Sequence, residues 1–497
     1  MIAKSKARVS TGVSGLDNIL GGGLTPDRLY LVEGTPGTGK TTLALQFLME
    51  GIRQGESGLY ITLSETEEEL RAGAATHGWT LDGVTVSELV TEDGLDPNQE
   101  QSILHSSEIE LGETTGRLID LVTTLQPRRI VFDSLSEFRL LAQNPLRYRR
   151  QILALKQFFA NRKCIVILLD DRTSEPTDLQ LHSIAHGVIR LEQHAQDYGS
   201  ERRRLQIIKM RGTKFRGGFH DLNIETGGIV VFPRLIASEH HADFVAVPLG
   251  TGSNQLDALL GGGLLPGTNA LFSGPSGVGK TSTAVSCMTA AIRSGKQGVY
   301  YLFDEGRATL LERAAHLGMD LGTAIEAGKV DLRQIDPAEL SPGEFANHVR
   351  RAVEEDGANF VVIDSLNAYL HAMPGQKFLL LQMHELLTYL NQLGVVTILI
   401  LGQHGIVGDV RSDVDLSYLS DTILLFRFFE AQGEVRKAVA VVKSRAAKHE
   451  RTIREFRLTS TGLEVGKALR DFEGVLSGLP SYRGEQPMLG QEPSVEA

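Results

Sequence analysis

The chain repeats itself. The stretch "TGVSGLDNILGGGLTPDRLYLVEGTPGTGKTT", from Thr11, aligns without a gap on "TGSNQLDALLGGGLLPGTNALFSGPSGVGKTS", from Thr251. Between residues 10–65 and 250–305 roughly two positions in five are identical, far more than unrelated segments share. The match continues downstream: "RRIVFDS" (128–134) parallels "NFVVIDS" (359–365), "CIVILL" parallels "VVTILIL", and "IKMRGTK" (208–214) parallels "VKSRAAK" (442–448). Whatever one copy folds into, the chain must build twice.

Within each copy, short apolar runs alternate with Gly-rich turns and helical periodicity. This pattern predicts an α/β fold, with a mostly parallel sheet flanked by helices in each of two tandem domains. The segment "SEHHADFVAVP" (238–248) is the expected boundary, giving an N-terminal domain over 1–242 and a C-terminal domain over 243–470. Residues 471–497 form a separate tail, whose end, "GLPSYRGEQPMLGQEPSVEA", has no periodic apolar face and is expected to be partly disordered.

Each copy carries G-x-x-x-x-G-K-T between a strand-like run and a helical one, the context a phosphate-binding loop requires. Glycines let successive N–H groups turn inward at a helix N-terminus and cradle phosphate oxygens. The predicted nucleotide contacts are Gly34, Thr35, Pro36, Gly37, Thr38, Gly39, Lys40, Thr41 and Thr42 in the first copy. In the second they are Gly274, Pro275, Ser276, Gly277, Val278, Gly279, Lys280, Thr281 and Ser282. Lys40 and Lys280 should reach the β- and γ-phosphates of ATP, and Thr41 and Thr281 should offer hydroxyls to Mg2+. Asp133 and Asp364, each closing an apolar strand, are the expected carboxylates on the metal side.

Hydrolysis needs a group that orients the attacking water. After the second strand come "LYITLSETEEEL", with Glu65, and "VYYLFDEGRATL", with Asp304 and Glu305. These acids could instead merely open the next helix, where the dipole favours them. The first copy has Ser64 where the second has Asp304. If the first acid of the pair is the base, the N-terminal domain has lost it.

Bulk properties exclude several classes. A 497-residue chain with net charge −11 is not built as a constitutive duplex-DNA binder, and nucleic acid is not an expected partner. Two cysteines, Cys164 and Cys287, make neither a disulfide framework nor a zinc site and read as buried hydrophobes. The apolar runs are strand-length, and "MIAKSKARVS" lacks the apolar core of a signal peptide, so a soluble, cytoplasmic protein without a membrane partner is expected.

The chain resembles the KaiC family of two-domain RecA-type ATPases over nearly its whole length. The resemblance rests on "TGVSGLDNILGGGL", both phosphate loops, the "SET" and "DEG" acids, "KMRG", and the long run "SYLSDTILLFRFFEAQGEVRKAVAVVKSRAAKHERTIREFRLTSTGLEV". It implies two tandem RecA-like P-loop domains assembled as a two-ring homohexamer, with ATP between neighbouring subunits. It also implies slow ATP hydrolysis in the N-terminal ring and Ser/Thr autokinase chemistry in the C-terminal ring. Lys209 and Arg211, and Lys443 and Arg445, match the family's basic pairs that act across the subunit interface. Ser417 matches the family's acceptor serine, but Tyr418 stands where an acceptor threonine belongs, and the first copy reads His182–Ser183 there. "FEGVLSGLPSY" (472–482) resembles the tail through which a regulatory protein acts, without naming that protein.

Three other features read more plainly. His182 and His186 could share a helix face, but no third metal ligand accompanies them. "SERRRL" (200–205) reads as a solvated strand edge, and "QNPLRYRRQ" (143–151) as a charged helix face. Two other functions suit the same motifs: a DNA-linked RecA-type ATPase, which the charge disfavours, and a scaffold in which ATP only joins subunits.

Overall fold

A computed structural model describes residues 7–89, 103–142, 144–160, 162–171, 180–196, 198–371, 379–403, 417–431, 433–445, 448–476 and 480–484. The chain divides into two compact units, Met1–Arg234 and Leu235–Ala497.

The first unit holds a nine-stranded sheet. Its strands are β1 (Leu29–Glu33), β2 (Gly58–Thr62), β3 (Val84–Glu88), β4 (Arg129–Asp133), β5 (Ile165–Asp170), β6 (Gly187–His194), β7 (Arg202–Met210), β8 (Phe219–Glu225) and β9 (Gly228–Phe232). They lie in the order β3-β2-β4-β5-β1-β6-β7-β8-β9. The second unit repeats this with β10 (Asn269–Gly274), β11 (Gly298–Leu302), β12 (Val330–Gln334), β13 (Phe360–Asp364), β14 (Val396–Gly402), β15 (Thr422–Ala431), β16 (Glu434–Ser444), β17 (Arg454–Thr459) and β18 (Gly462–Ala468). Its order is β12-β11-β13-β14-β10-β15-β16-β17-β18, the same topology. These are two RecA-like domains.

From β3 to β6 neighbouring strands are parallel, and from β6 to β9 antiparallel. The sequence shows why. Strands β1, β2, β4 and β5 are apolar except at their ends and buried at every position, as a sheet covered on both faces requires. Strand β7, "RRRLQIIKM", mixes charged and apolar residues and is buried at only some positions.

The helix Lys40–Arg53 follows β1 and buries Leu43, Ala44, Phe47 and Leu48 against the sheet. Its cap, Gly39, has φ 97, a conformation open to a residue without Cβ. Gly279 does the same at φ 115 before the helix Lys280–Arg293. Each loop thus leaves the carboxyl end of a central strand, where ligands bind in open α/β sheets.

Both cysteines are free and buried. The exposed Arg147, Arg149 and Arg150 flank the buried Tyr148 on the helix Pro145–Ala160, a charged helix face. Among the described residues no helix is long and apolar enough to cross a membrane. Part of the tail is ordered: Phe472–Glu473 pairs with Ser481–Tyr482, and Val475 is buried with Phe429, Ala431 and Ala438. Residues 485–497 lie outside the described residues.

Candidate functional site

The two phosphate loops curl around their lysines. Lys40 Nζ donates to the carbonyls of Gly34 and Thr35 at 2.9 and 3.0 Å. Lys280 Nζ donates to those of Gly274 and Pro275, both at 2.7 Å. Burial lowers the Lys280 pKa to about 8, with the nearby Asp364 charge opposing the shift.

The helix-opening threonines meet the strand-end acids. Thr41 Oγ1 lies 3.5 Å from Asp133 Oδ2, and Thr281 hydrogen-bonds Asp364. Both carboxylates are buried, and burial raises both pKa values. A buried tyrosine on the adjacent strand donates to each acid: Tyr60 to Asp133, and Tyr300 to Asp364 at 2.8 Å. A hydroxyl beside a carboxylate is a hard oxygen donor set, which suits Mg2+ carried with phosphates and water. In the second unit these groups line a cavity of about 770 Å³ with Lys280, Thr281, Asp304, Glu305 and Asp364 on its wall. A Cβ built on Gly277, also in that wall, would meet no protein atom, so the cradle is open where phosphate would enter.

The acids after the second strand precede the helix caps, which are Thr66 and Gly306. Glu65, Asp304 and Glu305 are therefore not helix-opening residues; Glu67, Glu68 and Glu69 fill that role in the first unit. The two copies treat these acids differently. Glu305 is clasped by Arg313 through two bonds of 2.7 Å. Asp304 accepts the Ser365 hydroxyl. Glu65 is half-buried, and burial followed by repulsion from Asp133, Glu69 and Asp171 raises its pKa above the ordinary glutamate value.

A further acid, Asp171, escaped the sequence reading. Its Oδ1 sits 2.8 Å from Lys40 Nζ. Ser134 and Ser136 donate to its Oδ2 at 3.1 Å each. Burial alone would raise its pKa, but Lys40 and the two serines outweigh burial and hold the carboxyl below the usual aspartate value. In strand register Glu33 pairs with Asp170 and Ser273 with Leu401, so the counterpart of Asp171 is Gly402.

Two basic residues also reach the loops, one read in the sequence only as strand-edge charge and the other not singled out there. Arg203 is not merely a solvated strand-edge charge: its Nε donates to the Gly37 carbonyl at 3.3 Å. Lys437 Nζ donates to Gly277 at 3.2 Å. Strands β7 and β16 run antiparallel to their neighbours, so their first residues return to the end of the sheet where the phosphate loop lies. Both residues stand six positions before the lysine of the repeated basic pair, a spacing the duplication already displays.

The basic pairs hold the opposite end. Lys209 donates to the carbonyls of His182 and Ala185, and Arg211 to that of Ser183 at 2.7 Å. Lys443 donates to the Ser420 carbonyl at 2.7 Å, and Arg445 lies 3.8 Å from Asp421. Ser417 opens the short 3-10 turn Ser417–Leu419 before β15, and Tyr418 is half exposed. Thr422 pairs with Ala270, so this turn lies at the amino end of the central strand, four residues from the Gly274 loop. His182 and His186 do not converge. His182 bonds Glu33 at 2.7 Å, and His186 packs edge-on against Tyr30.

Known proteins match this chain along nearly its whole length. A family model described as "ATPase: KaiC" matches residues 9–236 and again 249–470. Over 484 residues the chain is 27% identical to "Circadian clock protein KaiC3" of Synechocystis sp. (strain ATCC 27184 / PCC 6803 / Kazusa), covering 96% of this chain and 95% of that protein. It is 25% identical over 484 residues to "Circadian clock oscillator protein KaiC" of Parathermosynechococcus lividus, covering 95% and 87% of the two chains. A match of similar extent, 26% over 492 residues and 96% and 92% of the two chains, joins it to "Circadian clock oscillator protein KaiC" of Synechococcus elongatus (strain ATCC 33912 / PCC 7942 / FACHB-805). With both halves matched and both phosphate loops built, the chain belongs to the KaiC family of ATPases.

Proposed function

We propose that this protein binds and hydrolyses ATP with Mg2+ in both domains, assembles as a two-ring homohexamer, and phosphorylates itself on Ser417 in the C-terminal domain. The observation that carries this reading is the second-unit cavity, where Lys280, Thr281, Asp364 and the acids Asp304 and Glu305 face one volume of about 770 Å³.

When bound, Mg2+ would neutralise negative charge that develops on the phosphates during transfer. The protein's own groups do the rest. Lys40 and Lys280 bind the phosphates; Thr41 with Asp133, and Thr281 with Asp364, would hold the metal. Glu65, and one of Asp304 and Glu305, orient the attacking oxygen and take its proton. Arg313 clasps Glu305, while Asp304 is held by a hydroxyl, so Asp304 is the better candidate for proton transfer in the second unit.

Register supports transfer between subunits. Four residues of parallel strand separate the Ser417 turn from the loop on the same chain, roughly 13 Å along the strand, too far for in-line transfer within one chain. Lys209, Arg211, Lys443 and Arg445 sit on that same far end, and there they would reach a neighbour's γ-phosphate. The tail is the proposed contact for a regulatory protein. Cytoplasmic residence accompanies this reading.

The test is ATP turnover together with sedimentation of the full chain. Mg-ATP should drive hexamer formation, because a ligand that binds only the assembled state stabilises it by mass action. Lys40→Ala should weaken that effect. An unchanged hexamer fraction in Lys40→Ala, or no ATP turnover in the wild type, contradicts the reading.

A further inference from the structure

The hydroxyl that follows the strand-end acid chooses opposite partners in the two units. In the first, Ser134 donates to Asp171, at the end of β5. In the second, Ser365 donates to Asp304, just past β11. The strands concerned flank β4 and β13 on opposite sides. Ser64 replaces the acid on one side in the first unit, and Gly402 replaces it on the other side in the second. In each site one carboxylate thus accepts from the hydroxyl that follows the strand-end acid, but only in the first does that carboxylate touch the loop lysine.

That contact has a consequence for nucleotide choice. The backbone of such a loop cradles the α- and β-phosphates, and its lysine reaches the β- and γ-phosphates. Asp171 pairs with that lysine at 2.8 Å. It is anchored by two serine hydroxyls, and its own N–H donates to Ser136 Oγ at 3.0 Å, so it is not a side chain that swings freely away. A γ-phosphate brought to Lys40 must share it with a fixed carboxylate or displace that carboxylate, whereas a diphosphate ends one group short.

We propose that Asp171 sets the diphosphate-versus-triphosphate preference of the N-terminal site, standing in for the γ-phosphate on Lys40 and biasing that site toward ADP relative to the C-terminal site, where Gly402 takes the place of that carboxylate and, among the described residues, no ion pair holds Lys280. The proposal rests on the reading of both loops as nucleotide sites. It assigns the rings different nucleotide occupancy at one ATP-to-ADP ratio.

The experiment is calorimetric titration of the full-length chain with Mg-ATP and with Mg-ADP, reading the ratio of the two dissociation constants. In a Lys280→Ala background only the N-terminal loop is left to bind. Adding Asp171→Asn there should shift the ratio toward ATP by about tenfold, the scale of removing one close like charge from a partly solvated site. In a Lys40→Ala background, Gly402→Asp should shift the C-terminal ratio toward ADP. A Cβ on Gly402 would lie 3.3 Å from Asn367 Oδ1, a tight contact that requires the Asn367 side chain to give by a few tenths of an ångström. Binding by Lys280→Ala with a ratio that Asp171→Asn leaves unchanged overturns the role of Asp171 and spares the nucleotide-site reading. An unchanged ratio in Gly402→Asp likewise overturns it. No binding of either nucleotide to Lys280→Ala overturns the nucleotide-site reading of the first loop and this proposal with it.

Discussion

Asp171 holds Lys40 in an ion pair at 2.8 Å, in addition to the two loop carbonyls that Lys40 and Lys280 alike bind. Two copies of one loop are thus chemically unlike. Burial of Lys280 makes nucleotide binding at the second site sensitive to pH.

Burial puts the Lys280 pKa at about 8. Phosphate favours the charged lysine and will raise that value on binding. Below pH 8 the amine is already protonated and affinity is flat; above it, binding must take up a proton. ATP affinity of Lys40→Ala should therefore fall as pH rises through 8, by up to about tenfold per unit. Titrations in buffers of different ionisation enthalpy should show proton uptake near pH 8.5. Equal affinity at pH 7 and 9.5 contradicts the burial argument.

Glu65 has its pKa raised by burial and by three neighbouring acids. A base must be ionised to work, so N-terminal turnover should be lost as pH falls through a value above the ordinary glutamate range. In Lys280→Ala, Glu65→Gln should lower kcat by about 10²–10⁴-fold and remove that acid limb. A profile that keeps its limb in Glu65→Gln assigns the base elsewhere.

Tyr60 and Tyr300 each donate to a buried strand-end carboxylate. Tyr300→Phe leaves Asp364 short of a donor, at a cost of about 1–3 kcal/mol in stability. Losing that donor raises the Asp364 pKa further, and metal needs the ionised form. The Mg2+ concentration for half-maximal turnover should rise, most steeply on the acid side. Thermal melts and Mg2+ titrations at pH 6 and 8 check both effects, and an unchanged Mg2+ requirement refutes the positioning role.

The duplication made much of this legible in the sequence. Both phosphate loops, the strand-end acids Asp133 and Asp364, and the parallel sheet follow from local patterns: glycine spacing and uninterrupted apolar runs. Asp171, Arg203 and Lys437 do not. Each reaches the loop only because a distant strand is threaded beside β1 or folded back antiparallel, and nothing near them in sequence records that pairing. Tyr60 and Tyr300 stood at identical places in both copies, yet an aromatic inside an apolar strand reads first as core. Glu305 looked like a free acid because its partner, Arg313, lies eight residues on, across the helix cap.

Arg203 and Lys437 reach the loop carbonyls of Gly37 and Gly277 from matching strands. Replacing either by alanine should loosen the loop and weaken ATP at its own site by about two- to tenfold, leaving the other site unchanged. Nucleotide titration with the opposite loop lysine replaced by alanine resolves the two. Weakening at both sites, or at neither, contradicts the local contact.

The central claim is that the C-terminal site transfers phosphate to Ser417 of a neighbouring chain. Intact-mass analysis and peptide mapping after incubation with Mg-ATP test it most directly. A phosphate on Ser417 would add almost two negative charges to the turn before β15, so the modification should also change ring stability. One phosphate on Ser417 is predicted in the wild type and none on Ser417→Ala or on Lys280→Ala alone. Mixing those two variants should restore the label on the Lys280→Ala chain. Phosphate on Tyr418 only, or on no residue after long incubation, would contradict the claim.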